Sequence, residues 1–135
     1  MTAKARVLIV DDDPATLDGL GGLLEVEGYE VVRAHNGAEA LATLKAPNPP
    51  RLVLLDLKMP VMDGFQFLTE RAKEPALARV PVVLLSGLPF IPDAPGVADF
   101  LTKPIDPVRL LDVVGRFCGA GATAKKTRRA PQRST

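Results

Sequence analysis

Three runs in this chain, VLIV (7–10), LVLL (52–55) and VVLL (82–85), are apolar at every position and stop at once on a polar residue: Asp11, Asp56 and Ser86. Successive side chains of a strand point to opposite faces, so a run that is apolar throughout needs cover on both sides. Four residues are too few for an ordinary helix, and the β-branched Val and Ile favour the extended state. The chain is therefore expected to build a sheet held between two layers, with polar groups at its strand ends.

The intervening segments fit that demand. The pattern predicts strands over 5–10, 29–34, 51–56, 80–86 and 98–102. After the first strand, Asp13 suits a helix cap and Pro14 the first helical position. Leu17, Leu20, Leu23 and Leu24 then recur at helical spacing, and Gly28 is placed to end the helix in the left-handed region. Gly19, Gly21 and Gly22 weaken this helix by about 1 kcal/mol each relative to alanine, so packing must supply its stability. Further helices are expected over 38–46, 64–75 and 106–117, the last with Pro107 at its start. Strands alternating with helices indicate a parallel sheet covered on both faces. Right-handed crossovers then set the C-terminal ends of all strands along one edge, where open α/β sheets place their sites.

A length of 135 residues, 47% of them hydrophobic, suits one globular domain. The N-terminal apolar run meets Asp11 too soon for a signal peptide, and no run approaches the length of a membrane span. A cytoplasmic protein is the expectation. Cys118 has no second thiol for a disulfide or a metal centre and reads as an inert thiol near a helix end. His35, the lone histidine, falls in a turn and reads as a surface residue. The net charge of +1 conceals an asymmetry: residues 1–118 carry −4, whereas Lys125, Lys126, Arg128, Arg129 and Arg133 give the remainder +5. The chain therefore divides into a domain over 1–118 and a basic tail over 119–135 of small and polar residues, expected to be disordered. Five cations without interleaved aromatics suit at most a non-specific, salt-dependent attraction to nucleic acid.

At the strand-end edge the order of elements gathers Asp11, Asp12 and Asp13, then Asp56, Ser86 and Lys103. Carboxylates on adjacent strands about 5 Å apart repel by about 3 kcal/mol at an effective dielectric of about 20, so such a cluster needs cations. Lys103 is one. The all-oxygen donor set points to Mg2+, or Mn2+, as another, and magnesium in such surroundings keeps water and phosphate oxygens as ligands. In that arrangement Asp56 is the nucleophile toward a phosphoryl group, and Asp11 and Asp12 hold the metal. Lys103 and the Ser86 hydroxyl receive phosphoryl oxygens. Each residue alone has a plainer explanation, as helix cap, turn residue or solvated lysine; it is their coincidence at separate strand ends that favours a site.

At these residues the chain resembles the receiver domain of bacterial two-component response regulators. The blocks VLIVDDDP, LVLLDLKMPVMDG, VVLLSG and DFLTKPI carry the resemblance, which spans 5–117. It implies a flavodoxin-like, doubly wound five-stranded sheet of order 2-1-3-4-5. It further implies Asp56 as phosphoacceptor, Asp11 and Asp12 as the acidic pair with Asp12 the direct metal ligand, and the backbone carbonyl of Lys58 as a further ligand. A cis bond between Lys103 and Pro104 belongs to the same pattern. So does a switch in which Ser86 moves toward the phosphoryl group while an aromatic on the fifth strand turns inward. Phe100 holds that aromatic position and, lacking a hydroxyl, is expected either to pack inward permanently or to serve as plain core.

The chain departs from the pattern between Ser86 and Lys103. That interval is short and contains Pro89, Pro92 and Pro95, so the helix expected between the last two strands is missing or reduced to a turn. Leu88 and Lys58 flank the phosphoryl position, where they are expected to tune the lifetime of the phosphorylated state.

The resemblance implies a single-domain response regulator, phosphorylated by a sensor histidine kinase or a histidine phosphotransfer protein and signalling to a downstream protein by contact, with no membrane insertion. Nothing after residue 118 is large enough for an output domain. A phosphorelay intermediate has the same site, and a pseudo-receiver or adaptor acting through its surface and basic tail is the non-phosphorylating alternative. An aspartate-nucleophile phosphohydrolase needs a second Asp two positions after the nucleophile, where this chain has Lys58. Beyond acquiring and losing its own phosphoryl group, the chain is not expected to be an enzyme.

Overall fold

The computed structural model describes residues 4–56, 64–86 and 97–119. The strands are β1 (Arg6–Val10), β2 (Glu30–Ala34), β3 (Leu52–Asp56), β4 (Val82–Ser86) and β5 (Val97–Thr102). The helices are α1 (Pro14–Val26), α2 (Gly37–Lys45), α3 (Gly64–Ala72), α4 (Pro75–Ala78) and α5 (Pro107–Cys118). All strand pairs are parallel, in the order β2-β1-β3-β4-β5.

Strand alternation sorts the core into two halves. Val7, Ile9, Leu52, Leu54, Val83 and Leu85 face α1 and α5, whereas Leu8, Val10, Val53, Leu55, Val82 and Leu84 face α2, α3 and α4. These twelve side chains are fully buried, the state that the uninterrupted apolar runs demand. The helix starts follow the expected chemistry. Asp13 caps α1 by accepting from the Ala15 N–H at 3.1 Å, Asn36 caps α2 from the Glu39 N–H at 2.9 Å, and Asp106 caps α5 from the Val108 N–H at 3.1 Å. Gly28 ends α1 with φ 96°, in the left-handed region. Leu110, Val113, Val114 and Cys118 bury one stripe of α5. Burial pushes the Cys118 thiol up to about 11 against the lowering influence of Arg51, which leaves it inert at neutral pH. His35 is exposed, 3.1 Å from a Glu39 oxygen.

Several strand and helix ends differ from expectation by one or two residues, β4 starting at Val82 rather than at 80, and two further differences have a structural cause. The helix expected over 64–75 stops at Ala72, and a separate turn of helix, α4, starts at Pro75. Proline disfavours the helical state at the residue before it, and Glu74 is extended at φ −120°, ψ 114°. The fifth strand begins one residue early, at Val97, with Ala98 taken up in a register shift between Val82 and Val83. The shortened helix expected between β4 and β5, the Lys58 and Leu88 positions and the tail beyond Gly119 lie outside the described residues. Among the described residues no helix is long and apolar enough to cross a membrane.

The seam between α4 and β4 rests on Arg71, which is 2% exposed at the end of α3. One of its terminal nitrogens donates to the carbonyls of Ala78 and Val80, and burial lowers its pKa. Hydrogen bonds from a charged donor contribute about 1.5–3 kcal/mol each, partly offset here by an unpartnered buried Nε. Arg71→Met keeps most of the volume and removes both bonds. It is expected to destabilise the fold by about 2–4 kcal/mol, read as a lower urea midpoint at unchanged m-value. An unchanged midpoint would show that the seam holds without it.

Candidate functional site

Register brings the first two acids together. Val10 pairs with Leu55, so Asp11 and Asp56 lie at the next level of adjacent strands. Alternation then puts Asp11 on the side of Val7 and Ile9, Asp56 on that of Leu52 and Leu54, and Lys103 on that of Leu101, all facing the α1 and α5 layer. The outcome is tight: one carboxylate oxygen from each of Asp11, Asp12 and Asp56 lies within 4.8 Å of the other two. Asp11 is fully buried, Asp56 nearly so, and Asp12 exposed.

The buried charges have partners. Asp11 accepts from the Asp13 N–H at 2.9 Å and from the Lys103 ammonium at 3.0 Å. Lys103 also reaches Asp56 at 3.4 Å. Its position is set by the Lys103 N–H, which donates to the Ser86 carbonyl at 2.8 Å, and the following Lys103–Pro104 bond is cis. Burial alone would lower the pKa of this ammonium, but Asp11 and Asp56 outweigh it and hold the group above its ordinary value. Among the described residues one monovalent cation faces three carboxylates, and each carboxylate pair repels by about 3 kcal/mol at an effective dielectric of about 20. The cluster offers hard oxygen donors with no sulfur or imidazole, a set that suits a small divalent cation such as Mg2+.

The remaining expected residues fare differently. Ser86 is the last residue of β4, 3% exposed, on the strand beside that of Asp56. Phe100 contradicts both expectations made for it: it is neither packed inward nor core, but 39% exposed. It pairs with Leu84 and so shares the face covered by α2, α3 and α4, yet β5 is the outermost strand, and the buried strand residues of that layer come from β1 to β4. Two features had not been anticipated. The Asp13 backbone is a donor to Asp11, as well as its side chain being a cap. A groove of about 260 Å³ also opens beside Lys103, lined by Thr16, Gly19 and Leu20 of α1 and by Pro104 and Ile105. Thr16 and Leu20 are one helical turn apart, a spacing that marks a shared helix face but not that the face borders Lys103.

Charge compensation by Lys103 is testable through pH. Because its folded pKa is raised, the stability it contributes is fully present below the ordinary lysine value of 10.5 and is lost as pH rises through the raised one. Lys103→Met is therefore expected to be less stable than the parent at neutral pH. The difference should shrink as pH rises above 10.5 toward the raised value, through which the parent loses the same charge. Urea midpoints across pH measure this; an undiminished gap at high pH would refute it.

Against known proteins, the family model of the response regulator receiver domain matches residues 7–115. The protein PilH of Pseudomonas aeruginosa is 35% identical over 115 residues, covering 82% of this chain and 94% of PilH. The chain also matches longer regulators, of which it spans only 23–24%. The chemotaxis protein CheY4 of Vibrio cholerae superposes with a TM-score of 0.77 at 31% identity, covering 85% of this chain and 99% of CheY4. The receiver domain of the sensor histidine kinase PA1611 of Pseudomonas aeruginosa PAO1, solved with a magnesium ion coordinated in its active-site cleft, gives 0.76 at 25% identity, covering 87% and 100%. With the match running through every strand described above, the chain belongs to the response regulator receiver domain family of two-component systems.

Proposed function

We propose that Asp56 accepts a phosphoryl group, with Mg2+, and that the phosphorylated chain signals by contact with another protein. The observation that carries this reading is the meeting of Asp11, Asp12, Asp56 and Lys103 at one sheet edge. In this reading the domain is 1–118, with 119–135 as an appended basic tail; the match to nearly the whole of PilH supports treating the receiver as the working unit. The donor is a phosphohistidine on a sensor kinase or a histidine phosphotransfer protein.

The chemistry follows from the geometry. An Asp56 carboxylate oxygen forms a bond to phosphorus while the bond from phosphorus to the donor imidazole nitrogen breaks, leaving an acyl phosphate on Asp56 and the imidazole free. A nucleophile at the end of a fully buried strand keeps its position without further ordering. Lys103, already 3.4 Å from Asp56, meets a phosphoryl oxygen and balances part of the roughly −1.5 to −2 charge that arrives. Ser86 supplies a hydroxyl from the next strand. Asp11 and Asp12 would hold Mg2+, together with Asp56 and, in this reading, the Lys58 carbonyl; the ion supplies charge to the transferring oxygens. Phe100, outward here, is the aromatic that turns inward on phosphorylation.

Incubation with a small phosphodonor and Mg2+, followed by intact-mass analysis, tests the reading. The wild-type chain is expected to gain about 80 Da, the mass of one phosphoryl group. The gain should vanish on chelation of Mg2+ and in Asp56→Asn. An adduct that persists in Asp56→Asn would place the acceptor elsewhere, and a wild type that neither gains mass nor binds Mg2+ would overturn the proposal.

A further inference from the structure

The solvent-facing stripe of α1 carries one sign of charge. Its sequence, Pro14–Val26, contains four leucines, four small residues and the acids Asp18 and Glu25, but no Lys, Arg or His; Asp12 and Asp13 precede it and Glu27 follows. Asp18 and Glu25 stand on the exposed side with Gly19 and Gly22 between them, and nothing lies within 4 Å of a side chain built on either glycine. The last turn has no basic residue to meet the negative end of the helix dipole. A single cation from the sheet, Arg33, reaches across Gly21 to Glu25 at 3.4 Å and Asp18 at 3.9 Å. This leaves the face acidic on balance.

The same end of α1 lies where the basic part of the chain departs. Tyr29, directly after the glycine that ends α1, donates its hydroxyl hydrogen to the Gly119 carbonyl at 3.1 Å. Lys125 is six residue steps beyond Gly119, a reach of at most about 20 Å. That equals the length of α1, about 20 Å for its thirteen residues. Lys125, Lys126, Arg128, Arg129 and Arg133 can therefore meet any acid on this helix, and the domain of net −4 offers them the opposite sign.

We propose that the basic segment 125–133 docks on the acidic outer face of α1 of its own chain. Docked there, it covers the flank of α1 that carries Asp18 and Glu25, and so competes with any basic protein segment that uses that flank. The attraction is between exposed charges and is screened by salt. It needs no phosphorylation, and its failure would leave the Asp56 reading untouched.

A nitroxide attached through Ala130→Cys in the full chain tests this by NMR; Cys118 is buried and stays unlabelled. At low ionic strength, amide signals of residues 18–26 are expected to be at least halved in intensity. They should recover at high salt, and also in the double variant Asp18→Asn/Glu25→Gln. Broadening confined to another face, broadening that salt does not relieve, or none until duplex DNA or anionic vesicles are added would each overturn the proposal.

Discussion

The pairing of β1 with β3 is the constraint on which the rest of this molecule depends. Val7 to Val10 lie beside Leu52 to Leu55, all eight fully buried, and the next residue on each strand is an aspartate. Because strand alternation has a period of two, a slip of β3 by one residue against β1 would exchange the two faces of that run and turn Asp56 to the opposite layer from Asp11. Packing and function thus select the same register. Residues that show no sign of chemistry, such as Leu54 and Ile9, determine how near two carboxylates come.

Those carboxylates are held together against their own repulsion. Three acids within 4.8 Å and one lysine give an arrangement whose charge is incompletely balanced. Asp11 is the member with least access to water, and it is held by the Asp13 backbone and by Lys103. Asp12, with water available, has less need of compensation. The gradient from buried to exposed leaves the open side of the cluster toward solvent, where a hydrated cation and a phosphoryl group can approach.

Much of this was legible in the sequence for reasons that are local. VLIV, LVLL and VVLL specify buried strands by composition alone, Asp13 and Pro14 mark the start of α1 by cap chemistry, and Pro107 marks that of α5. The site followed because the parallel topology has one edge for all strand ends. What was not legible depended on tertiary neighbours. Whether Phe100 is buried turns on what covers the outermost strand, which its own segment does not encode. The break between α3 and α4 was readable from Pro75, but the carbonyls at and after the end of α4 are held by Arg71, a residue that composition alone assigns to the surface. The groove beside Lys103 joins α1 to the segment after β5, and only the folded chain brings these together.

The placement of Lys103 links these levels. Its backbone is tied to the Ser86 carbonyl, its side chain to Asp11 and Asp56, and the residues after it form the groove facing α1. A change of charge at Asp56 therefore acts first on the one cation shared by two carboxylates. Any displacement of that side chain is felt by the end of β4 and by the entry to α5, since both are joined to the same short segment. The fully buried β1–β3 centre and a border connected through one lysine are what the proposed phosphorylation of Asp56 would act between. Phe100, three residues before Lys103 and exposed on an edge strand, lies on that border.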